Sequence, residues 1–232
     1  MRLRIVAEGQ SEERFARLVL VPHLAEYGVF VTVTKVETSR MKRRPDIRFK
    51  GGVPAYKHIR NDVATMLRID GGEDFRLTTF IDFFHLPKDF PGLREGASCF
   101  SKDQQIDCIE KAFREDIGDD RFMPYVQKHE FEALMFVDLG KLLKLYPQHD
   151  SKIMRLERGA KGLAPEDVNG GDTTSPSNRI IAEFPEHEMN KPKIVPLLAE
   201  IGLPRLREAC PRFDRWIGKL EKLGSGGDRS VR

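Results

Sequence analysis

Ile5-Val6-Ala7-Glu8-Gly9-Gln10-Ser11-Glu12-Glu13 carries the clearest strand-to-helix signal in the sequence. Apolar residues run straight into a glutamate and a glycine. Ser-Glu-Glu then opens a segment with Phe15, Leu18 and Val19 at helical spacing. This pattern predicts a buried strand over about Leu3 to Ala7, a turn at Gly9 and a helix from near Ser11. Glu12 and Glu13 suit the positive end of that helix. Open α/β sheets bind ligands outside the carboxyl ends of their strands, and Glu8 is expected there. The glycine-rich phosphate fingerprint is missing, so the carboxylate reads as a metal ligand or an acid/base group.

Outward from this stretch, strands and helices alternate. Pro22 predicts a kink in the first helix and Gly28 its stop. Val29 to Thr34 is rich in β-branched residues and reads as a second strand. His58 to Ile69 forms an amphipathic helix, and Leu77 to Ile81 a buried strand that ends on Asp82. Asp103 to Ile117 is a third helix, and Phe122 to Gln127 a short fourth strand. The alternation predicts an α/β fold with a mostly parallel central sheet flanked by helices. It fades after residue 138. The expected organisation is an α/β domain over 1–138 and a mainly helical extension over 139–223 packed on it. A polar loop at 159–178 interrupts the extension, and a flexible tail follows at 224–232. Leu206, Ala209, Cys210, Phe213, Trp216, Ile217 and Leu220 form one apolar stripe, read as core.

Glu8, Asp82 and the pair Glu130/Glu132 each follow a predicted strand. Parallel strands joined by helices present their carboxyl ends on one side, which gathers these acids. Residues two apart share a face on a strand but point about 200° apart on a helix. Both glutamates therefore face one site only if the helix starts after Glu130. Carboxylates brought together repel one another unless a cation neutralises them, and Mg²⁺ or Mn²⁺ suits oxygen donors. Glu12 is read as a helix-start acid or as a support to such a site. His129, beside Glu130, is read as a buried histidine or as a second support.

The net charge is 39 − 36 = +3, too small to imply a polyanion partner by itself. Its distribution is more informative. Arg40, Lys42, Arg43, Arg44, Arg48, Lys50, Lys57 and Arg60 crowd a stretch with one acid, Asp46. The stretch reads as a solvated loop or, slightly ahead because the surplus is local, as a surface for nucleic-acid backbones, which clustered cations contact. Arg179 and Lys193 read equally as surface cations or as groups that steady a phosphate. Cys99, Cys108 and Cys210 show no close pairing in sequence, which argues against a disulfide framework or a zinc site. With no signal-peptide pattern and no apolar run of about 20 residues, a cytoplasmic protein without a membrane span is expected.

The acidic arrangement resembles the Toprim fold, the metal-binding module of topoisomerases, bacterial primases and overcoming-lysogenization-defect nucleases. Val6-Ala7-Glu8-Gly9-Gln10-Ser11-Glu12 looks like that family's first motif. Ile81-Asp82-Phe83-Phe84 aligns with its Asp-x-Asp motif, but Phe84 stands at the second acid. The chain is more narrowly similar to a bacterial Toprim-related family of unknown function. That likeness rests on Glu8–Glu12, Asp82–Pro87 and His129–Leu134, with Ser175–Arg179 and Cys210–Trp216 in support. The resemblance implies an Mg²⁺- or Mn²⁺-dependent phosphodiesterase acting on nucleic acid, with a place in bacterial defence. Glu8, Asp82 and Glu130 would be catalytic, and Glu132 a further ligand. The alternative it implies is a non-catalytic subunit that binds a partner ATPase.

Overall fold

The computed structural model describes residues 1–36, 55–169, 171 and 173–225. Among the described residues, five parallel strands make the sheet: β1 (Arg2–Ala7), β2 (Phe30–Lys35), β3 (Phe75–Asp82), β4 (Phe122–Met123) and β5 (Val126–Gln127). Their order is β2-β1-β3-β4, with β5 pairing further along β3. The expected fourth strand is split in two at Pro124, which has no amide to give to a ladder.

Alternate residues of the inner strands feed two cores, as the two-residue strand period requires. Leu3, Ile5, Ala7 and Phe80 face one core; Val6, Leu77 and Ile81 face the other. The helices divide accordingly. α3 (Tyr56–Ile69) and α4 (Lys102–Ile117) cover the second face with Ile59, Val63, Ile106, Ile109 and Phe113. The first face receives the segment after β1: α1 (Gln10–Phe15), a π-helical turn at Ala16–Leu20, and α2 (Val21–Glu26). Pro22 cannot donate to residue 18, and the widened π turn stands just before it, with the Val21 amide donating to Ala16 O.

The C-terminal part packs on the same first face. α5 (Asp150–Gly159), α6 (Pro176–Glu183), α7 (Ile194–Ile201), α8 (Leu203–Ala209) and α9 (Pro211–Ser225) are short. Gly202 at φ 87° separates α7 from α8, and Pro211 opens α9, so the Leu206–Leu220 stripe is carried by two helices, α8 and α9. Leu206, Cys210, Phe213, Trp216, Ile217 and Leu220 share one continuous core with β1 and α1. The Trp216 indole donates to Thr78 Oγ1 at 3.0 Å, fixing α9 to β3.

The topology singles out one place. The chain leaves β1 towards β2 but leaves β3 towards β4, so connections from these adjacent strands diverge. The crevice beyond the ends of β1 and β3 is therefore the topological switch point, the usual ligand position in such sheets.

Candidate metal centre

Two strand ends deliver the first two groups to this crevice. Glu8 follows β1, and its amide continues the ladder by donating to Phe80 O at 3.0 Å. Asp82 is the last residue of β3, and its amide donates to Glu8 Oε2 at 2.8 Å. A 3-10 turn over Phe83–His85 then brings His85 back over the strand end. His85 Nδ1 lies 3.4 Å from Glu8 Oε1 and 3.7 Å from Asp82 Oδ2. Donor atoms of Glu8, Asp82 and His85 all lie within 4.8 Å of one another.

Asp82 is 3% exposed, and its Oδ1 is buried without a hydrogen-bond partner. Leaving a buried acceptor unsatisfied costs about 1–3 kcal/mol, and native structures rarely tolerate it without reason. Burial raises the Asp82 carboxyl well above the usual range; the charges of Glu12 and Glu132 add to this, and the Phe131 amide opposes it. Burial, reinforced by Asp82, pushes Glu8 up to about 8, against the favourable effect of His85.

Glu12 lies beside the same crevice. It occupies the third position of α1 and reaches back, so that the Gly9 amide donates to Oε2 at 3.0 Å. A side chain at position 9 would put its Cβ 2.8 Å from that oxygen, and glycine avoids the contact. Burial raises the Glu12 carboxyl to about 7, with the charge of Glu132 contributing. As expected for a helix-start acid, it caps; it also adds negative potential to the site.

Glu130 and Glu132 diverge. The helical segment does begin after Glu130, as a 3-10 helix over Phe131–Val137, and both acids are buried. Glu130 accepts the Ser177 amide at 2.8 Å and the Ser177 hydroxyl at 3.0 Å, which closes the N-terminus of α6. Its two oxygens are thus engaged away from the Glu8–Asp82–His85 group. Glu132 Oε1 lies 3.4 Å from Lys191 Nζ. Burial opposes the charge on Lys191, but Glu132, Glu130 and Asp82 outweigh it and raise the ammonium.

The remaining candidates lie elsewhere. His129 sits at φ 63°, a left-handed backbone that is uncommon outside glycine and that histidine enters more readily than most residues. Its carbonyl accepts the Phe84 amide at 3.0 Å, and its Nδ1 lies 3.0 Å from Asn169 Nδ2. Burial lowers its imidazole to about 4, helped by Lys128 and Lys102, so the ring is neutral near pH 7. Arg179 donates to the carbonyls of Thr174 and Gly159, at 2.8 and 3.0 Å, and so braces the polar loop. Lys193 is exposed at the end of its turn, and the cation beside the acids is Lys191, two residues earlier. Arg40, Lys42, Arg43, Arg44, Arg48 and Lys50 lie outside the described residues. Of the basic stretch within them, Arg60 pairs with Asp116 at 2.8 Å and Lys57 is exposed.

His85 and Lys191 are the groups that sequence reasoning passed over. Phe84 occupies the expected second acid position, and the third donor comes one residue later. The strand-then-histidine order Asp82-Phe83-Phe84-His85 was the available signal, because residues three apart eclipse in a 3-10 turn.

Two carboxylates and an imidazole suit Mn²⁺, or Mg²⁺ with added waters. The orphaned Asp82 Oδ1 and the two raised carboxyls agree with such a donor set. No helix among the described residues is long and apolar enough to cross a membrane. Comparison with curated proteins and with solved structures finds no match. A sequence model for a domain of unknown function (DUF4276) matches residues 7–221, nearly the whole chain, and the protein belongs to that family.

Proposed function

We propose that Glu8, Asp82 and His85 hold a divalent cation, Mn²⁺ or Mg²⁺, and that the protein hydrolyses phosphodiester bonds in nucleic acid. One observation carries this reading. Asp82 Oδ1 is buried and unpartnered inside a group of like charges that has His85 as its third donor. Like charges held this close destabilise the fold unless protons or a cation offset them. A bound cation would supply Lewis-acid polarisation of a phosphoryl oxygen and a more acidic water.

The chain's own groups supply the rest. Lys191 stays charged beside Glu132 and offers an ammonium to a phosphate oxygen. Glu12, with its carboxyl raised to about 7 and Oε2 occupied by the Gly9 amide, accepts a proton at Oε1 near neutral pH. The Arg40–Arg60 stretch provides charge for the nucleic-acid backbone. Glu130 serves as a cap that positions α6, so its catalytic role is not retained in this reading.

The test is Mn²⁺- or Mg²⁺-dependent nicking of DNA and RNA by the pure protein. Activity is expected to fall at least about 100-fold in Glu8→Gln, Asp82→Asn and His85→Ala. Nicking that survives all three changes contradicts the assignment. Phe84 favours a second reading, a non-catalytic subunit that binds a partner such as an ATPase. Cation binding without cleavage of any nucleic acid would select that reading.

A further inference from the structure

Two of the free cysteines, Cys99 and Cys108, are in contact. Their Sγ atoms lie 3.5 Å apart. Nothing in the sequence pairs them, since one follows a short 3-10 turn and the other sits in the second turn of α4. Two glycines bring them together. A Cβ at Gly92, where φ is +75°, would lie 2.8 Å from Ala112 Cβ and 3.0 Å from Cys108 O. One at Gly96 would lie 3.1 Å from Gln105 O. Glycine at both places lets residues 92–99 lie flat on α4. Ser101 then caps α4 by accepting the Gln104 amide at 3.2 Å, fixing the start of the helix that carries Cys108.

The pair is also reachable. Cys108 is exposed and Cys99 half-buried, whereas Cys210 is sealed in the core. A disulfide needs sulfurs about 2.05 Å apart, so closure brings these two about 1.5 Å closer. We propose that Cys99 and Cys108 are a redox-active dithiol that closes to an intrachain disulfide when it meets a peroxide.

The chemistry balances. The Cys108 sulfur, as thiolate, attacks a peroxide oxygen; the O–O bond breaks, one water forms and Cys108 becomes a sulfenic acid. The Cys99 sulfur then attacks Cys108 Sγ, the S–O bond breaks and a second water leaves with the Cys99 proton. Two thiols and one hydrogen peroxide give one disulfide and two waters. The order follows from position. Cys108 faces solvent, and the hydrogen bond to Cys108, with burial, raises the Cys99 thiol and keeps its proton for the second step. A dithiol reductant reverses the reaction by thiol–disulfide exchange.

The test treats the full chain with hydrogen peroxide, then denatures it and counts free thiols. The expected count falls from three to one, the survivor being Cys210. Trypsin cuts after Lys102, so the disulfide should join two tryptic peptides, and dithiothreitol should separate them. Cys99→Ser should instead accumulate a dimedone adduct at Cys108, while the wild type should not. Three thiols surviving excess peroxide overturn the proposal. So do a sulfinic acid at Cys108 with Cys99 still free, and chains linked only to one another. If Cys99→Ser fails to fold, the wild-type peptide map and thiol count still decide.

Discussion

Asp82 and Glu166 are equally buried acids, each 3% exposed, yet they are treated differently. Glu166 accepts the amides of Arg212 and Phe213, both at 2.9 Å, and so closes the N-terminus of α9. Burial raises its carboxyl, and those two amides work against the rise. Glu130 does the same for α6 through Ser177. Asp82 has an oxygen with no partner and like charges around it. Burial therefore does not distinguish a structural acid from a functional one. The list of partners does, because a helix N-terminus satisfies a carboxylate and a cluster of acids does not.

The largest expected effect breaks the structural side. Glu166→Ala strips two buried amides at the start of α9 of their acceptor and should cost about 2–4 kcal/mol in urea unfolding. A loss below about 0.5 kcal/mol would mean that water replaces the carboxylate and that the cap contributes little.

The functional side should respond with the opposite sign. Above about pH 8, where Glu8 is ionised, Asp82→Asn removes a like charge from the crevice, and the cation-free protein should gain about 1–2 kcal/mol while losing nicking activity. A destabilised Asp82→Asn protein would show that the carboxylate is a structural acid like Glu166.

Acidity gives a third separation. Glu8 rises from 4.5 to about 8 and Glu12 from 4.5 to about 7, so between these limits the folded chain holds protons that the unfolded chain has released. Stability without added cation should thus be highest near pH 4.5 and decline towards pH 8. Glu8→Gln should flatten that decline, as read from melting temperature against pH in a chelator. An unchanged slope would place the titration elsewhere.

The smallest effect concerns the two lysines. Lys191→Met removes the cation beside Glu132 and should weaken substrate binding, seen as a raised KM, with about 1 kcal/mol lost in stability. Lys193→Met, at an exposed position, should change stability by less than about 0.5 kcal/mol and leave KM alone. Equal effects on KM would return Lys193 to the site.

The same contrast explains what was legible in the sequence. β1 and β3 are apolar runs stopped by an acid, and each run plus the helix after it forecasts both the strand and its carboxyl-end residue. Glu8 and Asp82 were therefore accessible, as was the parallel α/β architecture. Strand order was not, because it depends on which helix packs on which face. The role of Glu130 depends on Ser177, 47 positions later, and that of Glu166 on the start of α9. No local pattern announces either cap. His85 and Lys191 sit in short 3-10 turns, too brief for any periodicity to show which way they point. Cys99 and Cys108 meet through Gly92 and Gly96, whose closeness to α4 is a tertiary fact.

The metal site is tested most directly by Mn²⁺ binding, measured by calorimetry on the whole chain near pH 8, with electron paramagnetic resonance to count the bound ion. The expected result is one Mn²⁺ per chain and an affinity reduced at least about 100-fold in both Asp82→Asn and His85→Ala. Wild-type affinity retained in both variants, or no binding by the wild type up to millimolar Mn²⁺, would contradict it.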